Sequence, residues 1–362
     1  MTANGRVFLV NNNGVLFGAG ANVNVGSLVA STLDIGDAAL ASATRQFSGA
    51  GTGSIINQGT INAANGGYVA FLGNAVSNQG TIGAASGAVA LGAGSDVTLS
   101  FAGNSLVGLQ VNQSTLNNLA ENGNLIKADG GAVWLSAGAR DAVLASVVNN
   151  TGIVEARSVE QVGGTIVLGA GGAGTASNRG TLDASGGNPG AVGGTVKVLG
   201  AAVELAAGSV VNVAGDGGGG TALIGGNFLG AGTEQNAHTT TVQAGATINA
   251  DALTSGNGGN VAVWSDGTTR FDGAITARGG AVSGNGGQVE TSGKRLQVTA
   301  GASVTTAAHG KAGDWLLDPD DITIGNGSVW APNGVDVNVD TRVLSDALNN
   351  GNVTIHDPHR RQ

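Results

Sequence analysis

The chain has no cysteine, and of its 362 residues only 3% are aromatic, 11% are charged and four are proline. Without cysteine there is no disulfide scaffold, no thiolate metal centre and no cysteine nucleophile. With 15 basic against 24 acidic residues and a net charge of −9, the chain lacks the positive footprint of a nucleic-acid binder. No uninterrupted apolar run approaches the ~18 residues a membrane-spanning helix requires. Disorder is excluded from the other side, because 41% hydrophobic residues with so small a net charge favour collapse. The opening Met1 to Phe8 has no apolar core of a secretory signal, so the chain reads as cytosolic or as incomplete.

What is abundant is glycine, 67 residues, and it recurs in a pattern. Asn57-Gln58-Gly59-Thr60-Ile61 returns word for word as Asn78-Gln79-Gly80-Thr81-Ile82, and more loosely at Asn178-Arg179-Gly180-Thr181-Leu182. A second landmark pairs small residues with an alternating apolar run. It appears at Gly66-Gly67, Gly130-Gly131, Gly163-Gly164, Gly193-Gly194, Gly258-Gly259 and Gly286-Gly287. Alternation of period two is the signature of strands with one buried face. A unit this short cannot make its own core, so it is stable only by stacking on its neighbours.

These observations predict an all-β fold, a right-handed parallel β-helix with short helical excursions. At roughly 25 residues per coil the chain would form about 14 coils and a rod of order 70 Å. Gly67, Gly131, Gly164, Gly194, Gly259 and Gly287 are predicted as stacked corner residues, on the ground that glycine tolerates a positive φ. Asn57 and Asn78 are predicted to stack as an amide ladder. Helical spacing singles out Leu116 to Ile126, Ala139 to Val148 and Thr341 to Leu348, the last with Asp340 as N-cap and Gly351 as its stop.

Several apparent motifs have simpler readings. Gly169 to Gly174 matches G-x-G-x-x-G, but the sequence after it predicts a strand where a dinucleotide site needs a helix. His356 and His359 lie in a charged tail, and Asp318, Asp320 and Asp321 fit turns better than calcium ligation, so no metal or other cofactor is expected. The carboxylates and bases are scattered, with Asp266, Arg270 and Asp272 the densest group, and no catalytic residue is assigned. Trp134, Trp264, Trp315 and Trp330 either cover the apolar interior or offer faces for sugars. Asn112, Asn149, Asn326 and Asn352 match the N-x-[ST] acceptor pattern, a weak signal in an Asn-rich chain.

Val7-Phe8-Leu9-Val10-Asn11-Asn12-Asn13-Gly14-Val15-Leu16-Phe17-Gly18 and Val23 to Thr32 resemble the secretion domain of the filamentous haemagglutinin family. Thr239 to Phe271 and Gly313-Asp314-Trp315-Leu316-Leu317-Asp318-Pro319 resemble large members of the same family. The resemblance implies a non-enzymatic two-partner secretion exoprotein, a β-helical adhesin that is secreted or associated with the outer membrane at the cell surface. Its implied partners are an outer-membrane two-partner secretion transporter and a host-cell or matrix receptor, carbohydrate among the candidates. The transporter-recognition turn would be Asn11, Asn12, Asn13 and Gly14, where the family carries Asn-Pro-Asn-Gly. The family's signal peptide, cap and companion Asn-Pro-Asn-Leu motif have no counterpart in the sequence, so a fragment is expected. Residues 1–100 are expected to be the remainder of the secretion domain, 101–316 a repeat region, and 317–362 a junction with a short helix. A β-helical polysaccharide lyase or hydrolase is the alternative, and an ice-binding or purely structural solenoid the third.

Overall fold

The computed structural model describes residues 1–115, 118–138, 147–159, 162–320, 322–325 and 338–356. Two compact units are distinguished: Met1–Arg157 with Gly164–Thr181, and Ser158–Gly163 with Leu182–Gln362. Each is a parallel β-helix in which a coil gives one short strand to each of three faces.

In the first unit, one face stacks Tyr68–Gly73, Ala88–Ala93, Ala132–Ala137 and Thr165–Gly169 in unbroken parallel register. A second stacks Ser54–Asn57, Ala75–Asn78, Leu119–Asn122, Val147–Asn150 and Thr175–Asn178. The third stacks Thr60–Ala63, Thr81–Gly83, Leu125–Lys127 and Ile153–Glu155. Because register is kept, each inward residue lands on its equivalent one coil away. Val69, Val89, Val133 and Ile166 form one fully buried column, and Ile61, Ile82, Ile126 and Val154 another. Burial of such aliphatic side chains is the main driving force, about 1.5–3 kcal/mol each. The second unit repeats the plan with Thr195–Leu199, Thr221–Ile224, Asp314–Leu317 and the first parts of Asn260–Phe271 and Gln288–Val298 on its first face, the later parts of those two long strands passing onto the next face.

The glycines have a different cause from the one the sequence suggests. None of Gly67, Gly131, Gly164, Gly194, Gly259 and Gly287 adopts the left-handed backbone. For Gly67, Gly131, Gly259 and Gly287 the reason is contact between coils, and for Gly164 it is contact with the carbonyl of Ala156 across its own corner. A Cβ on Gly131 would fall on the carbonyl oxygen of Gly87, and one on Gly87 on that of Gly67, inside the 3.0 Å that real Cβ atoms essentially never cross. Gly220, Gly259, Gly287 and Gly313 repeat this in the second unit, each against the glycine one coil earlier. The same carbonyls accept the next coil's amide: Gly87 O accepts from Ala132 N at 3.0 Å, and Gly259 O from Gln288 N at 3.0 Å. Positive φ is carried by a neighbour instead, Gly66 at 76° and Gly130 at 73°.

Inserted segments interrupt the coils in both units. In the first unit an antiparallel sheet, ordered Ser105–Gln113, Asp96–Ala102, Thr44–Ser48, lies over the outer side of the first face. Phe47, Val97, Leu99, Phe101 and Leu106 pack on Tyr68, Leu72 and Ala90, which explains why Tyr68–Gly73 and Ala88–Ala93 are buried on both sides. Arg45, 6% exposed, places its guanidinium 4.3 Å from the ring centre of Phe101 and 5.5 Å from that of Phe8. In the second unit a loop after Gly225 lies against Trp264 and the strand Gln288–Val298. Leu229 N donates to Glu290 Oε2 at 2.8 Å, and Lys197 Nζ reaches Glu234 Oε1 at 2.8 Å.

Of the three expected helices, Thr341–Leu348 forms, with Asp340 Oδ1 accepting from Arg342 N at 2.9 Å as the N-cap and Val343, Leu344 and Ala347 buried. Its end is not set by Gly351: the C-cap is Asn349, and Asn350 Nδ2 returns to Asp346 O at 2.8 Å. Leu116 to Ile126 is no helix, for Leu119–Asn122 and Leu125–Lys127 are strands whose Ala120, Asn122 and Ile126 point inward; Leu116 and Asn117 lie outside the described residues. Residues 139–146 also lie outside them, and Val147–Asn150 is a strand. Over Leu119 to Ile126, and at Val147 and Val148, inter-coil pairing overrides a weak local preference.

Gly131→Ala is expected to cost about 3 kcal/mol or more, because backbone must move, while Gly66→Ala pays only left-handed strain of about 1–2 kcal/mol. Urea denaturation of the two variants measures the difference. The loop of the second unit should respond to pH in both directions. Lys197, with help from Asn227, holds the Glu234 carboxyl down to about 2 from its usual 4.5, so that contribution is full above 4.5 and lost as pH falls toward 2. Burial pushes Glu290 the other way, with Asp318 adding to the rise and Leu229 N and Ser292 opposing it. Its contribution is therefore present at low pH and lost as pH rises through its elevated value. Hydrogen exchange of residues 227–236, corrected for intrinsic rate, should be slowest at mildly acidic pH; Glu234→Gln should flatten the acid limb and Glu290→Gln the other.

Candidate functional site: an asparagine turn and an asparagine ladder

The turn Asn11 to Gly14 connects the strands Thr2–Val10 and Val15–Phe17. Its geometry follows from the side chain of Asn11, whose Oδ1 accepts from Asn13 N at 3.2 Å while its backbone oxygen accepts from Gly14 N at 3.0 Å. This is the local bond by which Asn nucleates turns. Gly14, at φ 118°, supplies a backbone other residues adopt only with strain. The position where the family carries proline is held from outside: Asn12 Nδ2 donates to Asp34 Oδ2 at 3.2 Å. Asn11 N also donates to Ser31 O at 2.9 Å, tying the turn to the following coil. The three asparagine side chains are exposed, so the turn is a preformed and accessible hydrogen-bonding surface.

Asn57 and Asn78 stand in a longer column. Nδ2 of Asn57 donates to Oδ1 of Asn78 at 2.8 Å, Asn78 to Asn122 at 2.8 Å, Asn122 to Asn150 at 2.9 Å and Asn150 to Asn178 at 2.8 Å. All five are fully buried. Each amide also donates to the carbonyl two residues on, at 3.0–3.3 Å, closing the corner it sits in. A rung must donate and accept at once, which a carboxylate cannot do, and no buried donor is left over. Phe17 pairs in register with Asn57 and stacks on Phe71 at 5.8 Å, so an aromatic ring closes the first end. The second unit has an apolar column instead: Leu205, Val242, Phe271 and Val298.

Sequence reasoning missed Asn122 and Asn150. The signal that finds them is Asn-x-(Gly or Asn)-x-apolar, shared by Asn122-Gly123-Asn124-Leu125-Ile126 and Asn150-Thr151-Gly152-Ile153-Val154.

The other candidates disperse. After Gly169 comes a turn and then the strand Thr175–Asn178, so the glycine motif opens no helix. His356 Nδ1 meets Asp318 Oδ1 at 2.8 Å just past the ends of the paired strands Asn352–Ile355 and Asp314–Leu317; His359 and Asp321 lie outside the described residues, as do Trp330 and Asn326. Asp266 accepts from Trp264 Nε1 and Asn236 Nδ2, both at 3.0 Å, whereas Asp272 accepts from Thr299 Oγ1. Trp315 is buried with Nε1 on Thr291 Oγ1 at 2.9 Å, and Trp134 packs against the core beneath the antiparallel sheet.

Asn122→Val should lower stability by about 2–4 kcal/mol, since it strands the Asn78 donor and the Asn150 acceptor, each costing about 1–3 kcal/mol when buried without a partner. Thermal or urea unfolding checks this, with exposed Asn112→Val as the control.

The sequence model described as the TPS secretion domain matches residues 1–184, about half of the chain. Among solved structures, the HMW1 secretion domain from Haemophilus influenzae is 32% identical, with a TM-score of 0.73 and a match covering 86% of this chain and 80% of that one. None of the curated proteins compared with the sequence matches it.

Proposed function

Because this chain belongs to the TPS secretion domain family, the hallmark of two-partner secreted exoproteins, we propose that it is an exported surface adhesin of the filamentous haemagglutinin type. In this reading it passes through a dedicated outer-membrane transporter that recognises the region of the Asn11 to Gly14 turn. The observation that carries the reading is the family match over residues 1–184, which includes that turn. The turn supports a recognition role because it is rigid before any partner arrives, so little ordering entropy is lost on binding.

Adhesion at the cell surface is the further part of the proposal. A stacked scaffold with small polar side chains on its outer faces offers many equivalent weak contacts along its coils, and these add when engaged together. Nothing in this role requires catalysis, and the function is read as non-enzymatic.

Secretion tests the transporter half directly. Fused to a reporter and expressed with its transporter, the chain should appear outside the cell, and Asn11→Ala with Gly14→Ala should reduce export several-fold while circular dichroism of the purified variant stays unchanged. Export independent of the transporter, or unaffected by the double substitution, would remove the turn from recognition.

A further inference from the structure

The second unit carries a groove of about 550 Å³ that the secretion reading does not use. Its floor is a row of side chains at the same position of successive strands. Thr195 pairs with Thr221, Thr221 with Asn260, and Asn260 with Gln288. Their inward neighbours Val196, Ala222, Val261 and Val289 are buried, so the four polar side chains face outward. Coil spacing sets them ~4.8 Å apart and the row ~14 Å long. None of the four side chains has a hydrogen-bond partner among the described residues.

One wall is the inserted loop, presenting Phe228 and Asn227. That wall is braced. Asn227 Oδ1 accepts from Phe228 N at 2.8 Å, Asn227 Nδ2 donates to Glu234 Oε2 at 2.9 Å, and Asn236 Nδ2 donates to Gly230 O at 2.9 Å. Leu229, held in the left-handed region at φ 58° and ψ 21°, is fixed through its N–H to Glu290, a carboxylate with no exposed surface. A strained non-glycine residue persists only where its surroundings over-determine it. The loop therefore holds Phe228 over the floor in one position.

The charge of the lining selects among ligands. It contains no carboxylate and a single cation, Lys197, which Glu234 neutralises at 2.8 Å. The protein as a whole is at −9, which repels polyanions. What remains is a neutral trough with hydroxyls and amides that can each donate and accept, beside an aromatic ring that offers an apolar face.

We infer that this groove binds an extended, uncharged oligosaccharide, laid across the coils with its hydroxyls on Thr195, Thr221, Asn260 and Gln288 and one ring against Phe228. The repeat of the floor is close to the length of one hexopyranose in an extended chain, so successive sugars fall on successive coils, and in a two-fold extended chain alternate sugars present the same edge to the floor. This deepens the adhesion reading by naming a site and a ligand class. It is tested without cells, so a failed groove leaves transporter-dependent export untouched.

The purified chain is titrated calorimetrically with cellohexaose, chitohexaose, xylohexaose and mannohexaose, and with hexamers of galacturonate and heparin as charged probes. The expected result is binding of at least one neutral hexamer, retained by its tetramer and much weaker for its dimer. Phe228→Ala and Gln288→Ala should each weaken it about tenfold, the size of one lost aromatic or hydrogen-bonding contact. Where Phe228→Ala disturbs the melting profile, Asn260→Ala on the strand floor decides in its place. No binding by any neutral hexamer, tighter binding of the charged probes, or undiminished binding by correctly folded variants would overturn the assignment.

Discussion

Everything in this molecule depends on parallel coil-to-coil hydrogen bonding in fixed register. Strands ~4.8 Å apart that never slip place like over like, so a choice made at one position is repeated or answered one coil away. A small residue over a small residue leaves no gap, an aliphatic column fills its own interior, and a polar side chain can be buried if its neighbour offers the complementary half of the bond. Low charge and few aromatics then cease to be deficits, because the interior is narrow and is closed by backbone and small side chains.

The asparagine column shows what this constraint permits. Five primary amides with no exposed surface would each be costly alone, yet together every donor finds an acceptor. The bonds all run in one direction along the stack, so each polarises the next. The column ends against the ring of Phe17 at one side, and the second unit uses apolar residues, Phe271 among them, for the equivalent task. Either solution satisfies the same geometry.

Much of this was legible in the sequence. The repeated Asn-Gln-Gly-Thr-Ile segment and the alternating apolar runs pointed to short stacked strands and to the pairing of Asn57 with Asn78. The reason for the glycines was not legible, because a Cβ clash with a carbonyl one coil away is a contact between residues 20 to 44 apart and leaves no local trace. The antiparallel sheet went unseen although Val97, Leu99 and Phe101 alternate cleanly, since nothing local distinguishes a strand that leaves the stack from one that stays. Leu116 to Ile126 was misread for the related reason that helical spacing in eleven residues cannot outweigh pairing on both sides. The turn at Asn11 was legible through its residue types, whereas the brace from Asp34 to Asn12 depends on a segment 22 residues away. The groove over Thr195 to Gln288 was invisible, being made of ordinary polar residues that only register brings into line.

Rungs of the asparagine column are separated by 21, 44, 28 and 28 residues, yet the bonds between them are alike to within 0.1 Å. The stack is thus indifferent to how much chain is spent at a corner, provided the chain returns to the same height. Length is free at the corners and forbidden in the strands. Such a fold can carry new surfaces on insertions without renegotiating its interior, as the 44-residue coil does with the two strands Asp96–Ala102 and Ser105–Gln113 that it adds to the antiparallel sheet.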